Sequence, residues 1–267
     1  MSVRHDTQLT QIGDSDRNIS VQDSTPTSWW RIIFVTSLGI TVFGLGLRQL
    51  GWLQRWELSA YDQMMLLRPS EPPDKRILLV TVTQSDLQKY NNPLPDETIN
   101  QLLKKIQSYQ PRVIGLNIKR PQQTNLAAGT SKKNIIAVCV FKTDYEPEIP
   151  PPPNFSDGSN IAFSDLIPDN KIDNVVRRGL LLVPPFPNKN CDTDYSFAST
   201  LAMDYLEKFD PGFIKDKDKD NVFYIGKVLF PRLQKNSSGY INIDNGGSQI
   251  LINYRNHLNV APTVTLT

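Results

Sequence analysis

The longest apolar stretch of the chain lies near its N-terminus. Residues 28–53 read SWWRIIFVTSLGITVFGLGLRQLGWL, and their only charged residues are Arg31 and Arg48. The uncharged part, Ile32 to Leu47, is shorter than the roughly 20 residues that cross the core of a bilayer. Both arginines can snorkel toward the headgroups, however, which lengthens the effective span. The pattern therefore predicts a transmembrane helix over residues 29–53.

Tryptophans flank this apolar run, as they do at membrane–water interfaces. The predicted membrane anchor residues are Trp29, Trp30, Arg31, Arg48 and Trp52. A buried core helix and a cleaved signal peptide are alternatives. The signal-peptide alternative fits less well, because the preceding segment is long and acidic and no small-x-small cleavage site follows. Arginines on both sides leave the orientation undecided.

Two further regions border the apolar run. Residues 1–28 are polar without apolar periodicity, which predicts a disordered tail.

Residues 54–67 carry apolar residues at helical spacing, which predicts a second helix. This helix should end at Arg68-Pro69, because proline disfavours helix at the residue before it. We expect a stalk helix here, acting either as a mechanical lever or as a plain spacer. The folded domain is then expected over residues 54–267.

The pattern after this stalk indicates an α/β domain. Residues 77–82 form an apolar run typical of a buried strand. Asp96 is a plausible N-cap for a helix whose apolar residues fall on one face, and residues 113–118 form the next strand. Strand, helix and strand in this order predict a right-handed βαβ unit.

The second half of the domain is expected to be more antiparallel. A helix is predicted over residues 196–209, and strands are predicted at 134–141, 180–183, 222–225, 228–230, 240–243 and 249–254. Asn245-Gly246-Gly247 predicts a hairpin turn between the last two strands. The predicted fold class is therefore α/β: a mixed sheet with an N-terminal βαβ unit, preceded by one transmembrane helix and a stalk helix.

Composition narrows the function classes. The 29 basic and 27 acidic residues are nearly balanced, which argues against a nucleic-acid-binding face. The only histidines, His5 and His257, have no short-spaced ligand pair, so no metal site is expected. No P-loop or Gly-x-Ser-x-Gly motif occurs. We predict neither an enzyme nor a cofactor, although scattered carboxylates that meet in space would allow an unrecognised hydrolase.

Cys139 and Cys191 are the only cysteines. One interpretation makes them two unrelated, small core residues, because free cysteine is often buried. The other makes them a disulfide, which requires that the domain lie outside the reducing cytosol. The sequence leaves both interpretations open.

Several segments together resemble CHASE2 domains, in the style of cyanobacterial members. No segment is distinctive alone, but their order and spacing are fairly specific, and the similarity runs from about residue 47 to 267. The segments are LSAYD at 58–62, LRP at 67–69, PPDKRILLV at 72–80, PRVIGL at 111–116, FSD at 163–165, VVRR at 175–178, SFA at 196–198, LINYR at 251–255 and TVTL at 263–266.

This resemblance implies a periplasmic or extracellular sensory domain. Family members carry an N-terminal span before the domain, and further spans and a cytoplasmic kinase or cyclase module after it. Two departures stand out. Asn174 follows Asp173 where the family often has glycine, but asparagine also tolerates left-handed geometry. The sequence stops at Thr267, where the family continues, so we expect a fragment, a truncated reading frame or a sensor that acts through a partner.

Candidate ligand residues are Asp86, Arg177 and Arg178. Asp86 follows the predicted strand at 77–82, where ligands often bind in parallel sheets, and the two arginines could bind an anion. The alternative is that all three fix turns through hydrogen bonds and salt bridges.

The expected location is the inner membrane, which the chain would cross once, with the domain outside the cytoplasm. Expected partners are the membrane, an unknown signal, and a second copy or a signalling protein; a tethered interaction module without a small ligand is the alternative.

Overall fold

The computed structural model describes residues 27–143, 147–155, 160–169, 172–184, 190–207, 215–217, 223–255 and 259–266. The chain separates into two units, one ending at Gln49 and the other beginning at Leu50. Most of the tail predicted at 1–28 lies outside the described residues.

The first unit contributes helix α1, Thr27–Gln49. Its segment Trp29–Gln49 is long and apolar enough to cross a membrane. At 1.5 Å per residue, 21 residues extend about 32 Å, close to the thickness of a bilayer core. The predicted helix ran to residue 53, but α1 ends at Gln49 and a turn occupies residues 50–53.

The second unit contains all ten strands and four of the five helices that the described residues form. The helices are α2 (Gln54–Leu66), α3 (Gln84–Tyr90), α4 (Asp96–Ser108) and α5 (Phe197–Glu207). The strands are β1 (Leu79–Thr81), β2 (Ile114–Leu116), β3 (Ile135–Cys139), β4 (Ile161–Phe163), β5 (Arg178–Leu182), β6 (Lys215–Lys217), β7 (Phe223–Ile225), β8 (Val228–Phe230), β9 (Ser248–Leu251) and β10 (Thr263–Thr265). The predicted α/β class, with one N-terminal apolar helix, is confirmed.

A small parallel sheet forms the centre of the domain. Its order is β2-β3-β4, with Ile114 opposite Ile135 and Ala137 opposite Ile161. All five residues of β3 are buried, as are the three residues of β4. Because β3 has neighbours on both edges and is apolar on both faces, it anchors the main hydrophobic cluster.

Helix α4 packs its apolar face into this cluster through Ile99 and Leu103. Asp96 is not the N-cap that the sequence predicted, because Pro95 occupies that position and Asp96 is the first helical residue. The Asp96 carboxylate lies 3.8 Å from the buried Arg120 guanidinium. An acidic group in the first helical turn also suits the positive end of the helix dipole.

Strand β1 differs from its prediction in burial and in pairing. It pairs in parallel with β10, with Leu79 opposite Thr263, so β10 and not β2 is its ladder partner. The prediction of a buried strand is wrong, because Ile77 and Leu78 are 52% and 59% exposed. Apolar periodicity identified the extended backbone but could not tell which face another element covers.

Apart from β10, the strands of the second half pair in antiparallel fashion, in line with the expected more antiparallel half, but one predicted hairpin is absent. Strand β9 pairs with β5 and β7 pairs with both β6 and β8. Residues 240–243 form no strand. The hydroxyl of the buried Tyr240 instead donates a hydrogen bond to the Asp169 carboxylate. Gly247, with φ +68°, leads the chain into β9, which pairs with β5.

Cys139, at the end of β3, and Cys191 form a disulfide with a Sγ–Sγ distance of 1.99 Å. Both cysteines are buried beside the parallel sheet. Of the two interpretations that the sequence left open, the structure contains the disulfide.

Gly247 provides a test of this strand arrangement. A Cβ added there would overlap the backbone carbonyl of Leu182 and lie 3.0 Å from Leu180 Cδ1, at a φ that side chains disfavour. Gly247→Ala should therefore destabilise the domain by about 1–3 kcal/mol. On heating the full chain in detergent, the midpoint should fall by several degrees.

Gly246→Ala is the matched control. Its Cβ would meet only the side chain of the exposed Asp244, at 3.2 Å, and the glycine has no positive φ. Equal midpoints for the two variants would show that β9 does not approach β5 as closely as described.

Candidate functional site

A tight turn precedes the two arginines that the sequence singled out. The backbone carbonyl of Asp169 accepts hydrogen bonds from the N–H groups of Ile172, Asp173 and Asn174, at 2.7, 2.9 and 3.2 Å. Asn174 has φ +61°, so the prediction that asparagine replaces glycine in a left-handed turn is confirmed. The turn directs the Asp173 carboxylate back toward Arg177.

Arg177 is bound by three carboxylates. It is 2% exposed, and its Nε and Nη2 donate to the two oxygens of Asp62 at 2.8 and 2.6 Å. Nη1 donates to Asp169 Oδ2 at 3.0 Å and to Asp173 Oδ1 at 2.8 Å, and Nη2 also donates to Asp173 Oδ2. These five contacts equal the five N–H donors of a guanidinium. We call Arg177 with Asp62, Asp169 and Asp173 the arginine clamp.

The clamp joins two distant parts of the sequence. Asp62 lies on the stalk helix α2, 115 positions before Arg177, whereas Asp169 and Asp173 belong to the turn itself. The forked, bidentate pair with Asp62 fixes the orientation as well as the distance of α2. Through Arg177, the turn therefore holds the stalk helix against the domain.

Asp169 links the clamp to the second arginine. Arg178 donates to Asp169 Oδ1 from Nε and Nη2, at 3.2 and 3.0 Å, and also to Gln249 Oε1 at 2.9 Å. The Tyr240 hydroxyl donates to Asp169 Oδ2 at 2.6 Å. The Asp169 side chain is 1% exposed, so its two oxygens accept these bonds away from water. The clamp is thereby tied to β5 and β9.

The charges of this cluster stabilise one another. Hydrogen bonds to Asp62 and Asp173 raise the pKa of Arg177 above its ordinary value. The hydrogen bond from Arg177 lowers the pKa of Asp173, while burial and the Asp169 carboxylate raise the pKa of Tyr240. Arg177 therefore stays charged and Tyr240 stays neutral at ordinary pH. A buried cluster of this kind is sensitive to the loss of any one member.

Further contacts hold α2 to the same region. Gln54 Oε1 accepts from the backbone N–H of Ile241 at 3.2 Å, and the Tyr61 hydroxyl donates to the carbonyl of Ile252 at 3.3 Å. Leu58, 1% exposed, lies on the inward side, where a Cβ at Gly239 would be 3.5 Å from its Cδ2. The docked face of α2 thus combines one buried leucine with polar contacts to two loops.

An open cleft of about 580 Å³ lies beside the clamp. It is lined by the start of α2, by the turn around Asp169 and by residues 241–244, and it reaches Arg55, Asp169 and Arg178. Arg55 is exposed and donates to the Ile172 carbonyl at 3.4 Å. A small polar ligand in this cleft would contact both α2 and the turn.

The third candidate residue, Asp86, has a local role. It is fully buried at the third position of α3, and it forms a capping box with Thr83. Thr83 N–H donates to Asp86 Oδ2 at 2.7 Å, and Asp86 N–H donates to Thr83 Oγ1 at 3.3 Å. The structure therefore brings Arg177 and Arg178 together at Asp169, while Asp86 starts a helix that sequence reasoning did not identify.

Sequence reasoning also missed the carboxylates of the clamp. Asp62 stands four positions after Leu58, on the buried side of the stalk helix. A charged residue within a buried stripe signals a buried partner of opposite charge, and this signal was present in the sequence. Asp169 had no such signal. Among the described residues, no group of three His, Cys, Asp or Glu side chains is arranged to hold a metal ion.

Comparison with known families gives one match. A family model described as CHASE2 domain matches residues 35–267, a range that includes every residue of the clamp. Neither the curated proteins nor the solved structures contain a match.

Removing the buried arginine should be far more costly than removing a surface one. Arg177→Met leaves three carboxylates without their shared partner, and loss of one member of a buried pair typically costs about 3–5 kcal/mol. Arg76→Met is the control, because Arg76 is 68% exposed and forms its ion pair with Asp74 at the surface of the domain. Thermal unfolding of the full chain should show a large loss for the first variant and little for the second. Similar midpoints would contradict a stabilising role for the clamp.

The clamp also predicts acid sensitivity. The pKa of Asp173 is lowered in the folded protein by Arg177, so its contribution to stability is present above the unfolded pKa of about 3.9 and is lost as pH falls through the lower folded value. Asp173→Asn should be less stable than wild type at neutral pH, and the difference should shrink below about pH 4. Unfolding midpoints from pH 2 to pH 7 would measure this, and a difference independent of pH would contradict it.

Proposed function

The chain belongs to the CHASE2 domain family, and on that premise we propose that it is the membrane-anchored sensory part of a signalling receptor. CHASE2 domains are extracytoplasmic sensory domains and are not known as catalytic. The observation that carries the finer proposal is the arginine clamp, which couples the sensory domain to the helix that follows the anchor in the chain.

In this proposal α1 is a single span in the inner membrane, with the second unit outside the cytoplasm. The length and apolar character of α1 support a span. The buried Cys139–Cys191 disulfide supports the location, because disulfides persist in oxidising compartments and are rare in the cytosol.

The clamp gives the proposed sensor a physical means of transmission. A signal can shift a protein between two packings only if it binds one of them more tightly. The cleft borders both α2 and the turn that carries the clamp, so a ligand there would favour one position of α2 over another. Movement of α2 would then reach α1 through the four residues 50–53. The output is assigned to another segment or to a partner protein, and a second copy of the chain is one such partner.

A second candidate is a tethered interaction module that needs no small ligand. The exposed apolar side chains of Ile77 and Leu78 beside β1 favour this alternative, since protein-binding surfaces often expose such residues. The two candidates differ in one respect: a sensor requires α2 to occupy two positions, and a module does not.

Distances between spin labels test this difference. Because both native cysteines form the disulfide, Ser59→Cys on α2 and Tyr109→Cys after α4 provide two labelling sites on the full chain in lipid nanodiscs. With the clamp intact we expect one narrow distance distribution. Adding Asp62→Asn weakens the clamp and should produce a second population.

Asp74→Asn is the matched control, because Asp74 is a similarly paired carboxylate whose partners, Arg76 and Arg255, do not belong to the clamp. A single unchanged distribution in all three proteins would make α2 a passive spacer and favour the interaction module.

The Tyr109→Cys protein also tests the location of the domain. A membrane-impermeant maleimide should label it in intact cells, and labelling only after lysis would contradict an extracytoplasmic domain.

A further inference from the structure

The face of α2 that points away from the clamp is apolar and exposed. Trp56 and Leu67 are 75% and 83% exposed, and Met64 and Leu66 are also more than half exposed. Trp52, in the turn before α2, is 71% exposed. We call the side chains of Trp56, Ala60, Met64, Leu66 and Leu67 the outward face.

The outward face is broad, and no acidic residue lies within its arc, although Glu57 borders it beside Met64. At about 100° per residue, the exposed positions from Leu66 round to Met64 cover roughly 160° of the helix. Only Ser59 and Gln63 interrupt the apolar residues within this arc. Asp62 lies on the docked side in the clamp. An apolar arc of this width, rich in tryptophan and leucine, is typical of helices that lie in a membrane interface.

We propose that the outward face lies in the headgroup region of the bilayer that α1 spans. This inference rests on the proposed function, because it requires α1 to be a membrane anchor. Only residues 50–53 separate the two helices in sequence, and a connection of that length reaches at most about 18 Å when fully extended. The chain itself therefore keeps α2 near the membrane surface.

The chemistry of the face favours lipid over a second copy of α2. Tryptophan side chains concentrate at membrane–water interfaces, and the face contains Trp56, with the exposed Trp52 four positions before it. A two-helix seam needs apolar residues at alternating spacings of three and four. Both registers that begin at Trp56 place the polar Gln63 in the seam, and one of them also places Ser59 there.

For signalling, the consequence is that two competing contacts hold α2 in position. Its inward side is fixed by Arg177, and its outward side would be fixed by lipid. Release of the clamp would then let α2 move along or into the interface without leaving the membrane surface. The bilayer would thus help to decide which of its two positions α2 occupies.

Spin-label accessibility in full-length protein tests this inference. Single nitroxides would be placed at Ala60→Cys and Leu67→Cys on the outward face, with Ser37→Cys in α1 and the exposed Tyr109→Cys as references. The bilayer would be a nanodisc of three parts phosphatidylcholine to one part phosphatidylglycerol. Power saturation would compare collisions with oxygen, which enters lipid, and with a water-soluble nickel chelate.

We expect oxygen collisions to dominate at the outward-face labels, at a depth of about 5–10 Å, and nickel collisions to dominate at Tyr109→Cys. Nickel collisions dominating at Ala60→Cys and Leu67→Cys, while Ser37→Cys remains in lipid, would overturn this inference alone. Spin–spin broadening between copies at Ala60→Cys, with exclusion of both reagents, would also overturn it and would indicate a dimer. Nickel access at Ser37→Cys would instead contradict the proposed anchor.

Discussion

The buried guanidinium of Arg177 is the constraint on which the arrangement of this domain depends. A charge with 2% exposure is tolerated only when its donors are satisfied, and five contacts to three carboxylates satisfy all five. One carboxylate is on α2 and two belong to the turn after β4. Folding therefore has to bring these segments to one point, and the stalk helix acquires its position as a result.

The rest of the domain consists of a part held by apolar packing and a part held by polar contacts. The Cys139–Cys191 disulfide and the buried strand β3 hold the parallel sheet, whose packing is apolar. The region of β5 and β9 is instead held by polar groups, with Asp169 shared between Arg177, Arg178 and Tyr240. Apolar packing is insensitive to small charged or polar signals, whereas a shared carboxylate responds to any group that competes for its donors. The polar region is accordingly the part of the domain suited to sensing.

The sequence predicted features that depend on neighbouring residues. The stalk helix ends before Pro69, β3 lies within its apolar run, and Asn174 adopts the left-handed turn. These follow from local sterics and periodicity. The exposure of β1 and its pairing with β10 could not be predicted, because burial of a strand is decided by elements far away in the chain.

The site was predictable only in part, for the same reason. Arg177 and Arg178 were identified from the resemblance, but their partners depend on a contact across 115 positions. Asp86 was placed in a ligand role because it follows a strand, and this role stays a prediction; the structure shows Asp86 in a capping box with Thr83. The hairpin predicted at Asn245-Gly246-Gly247 is wrong because residues 240–243 form no strand to pair with β9.

The central claim is that Asp62 and Arg177 together hold the stalk helix on the sensory domain. A double-mutant cycle with Asp62→Asn and Arg177→Met tests it most directly, with the opening free energy of α2 read from amide hydrogen exchange in the full-length chain in nanodiscs. The loss in the double variant should differ from the sum of the two single losses by about 0.5–3 kcal/mol, because each variant removes the same interaction. Additive losses, or unchanged exchange in α2, would contradict it.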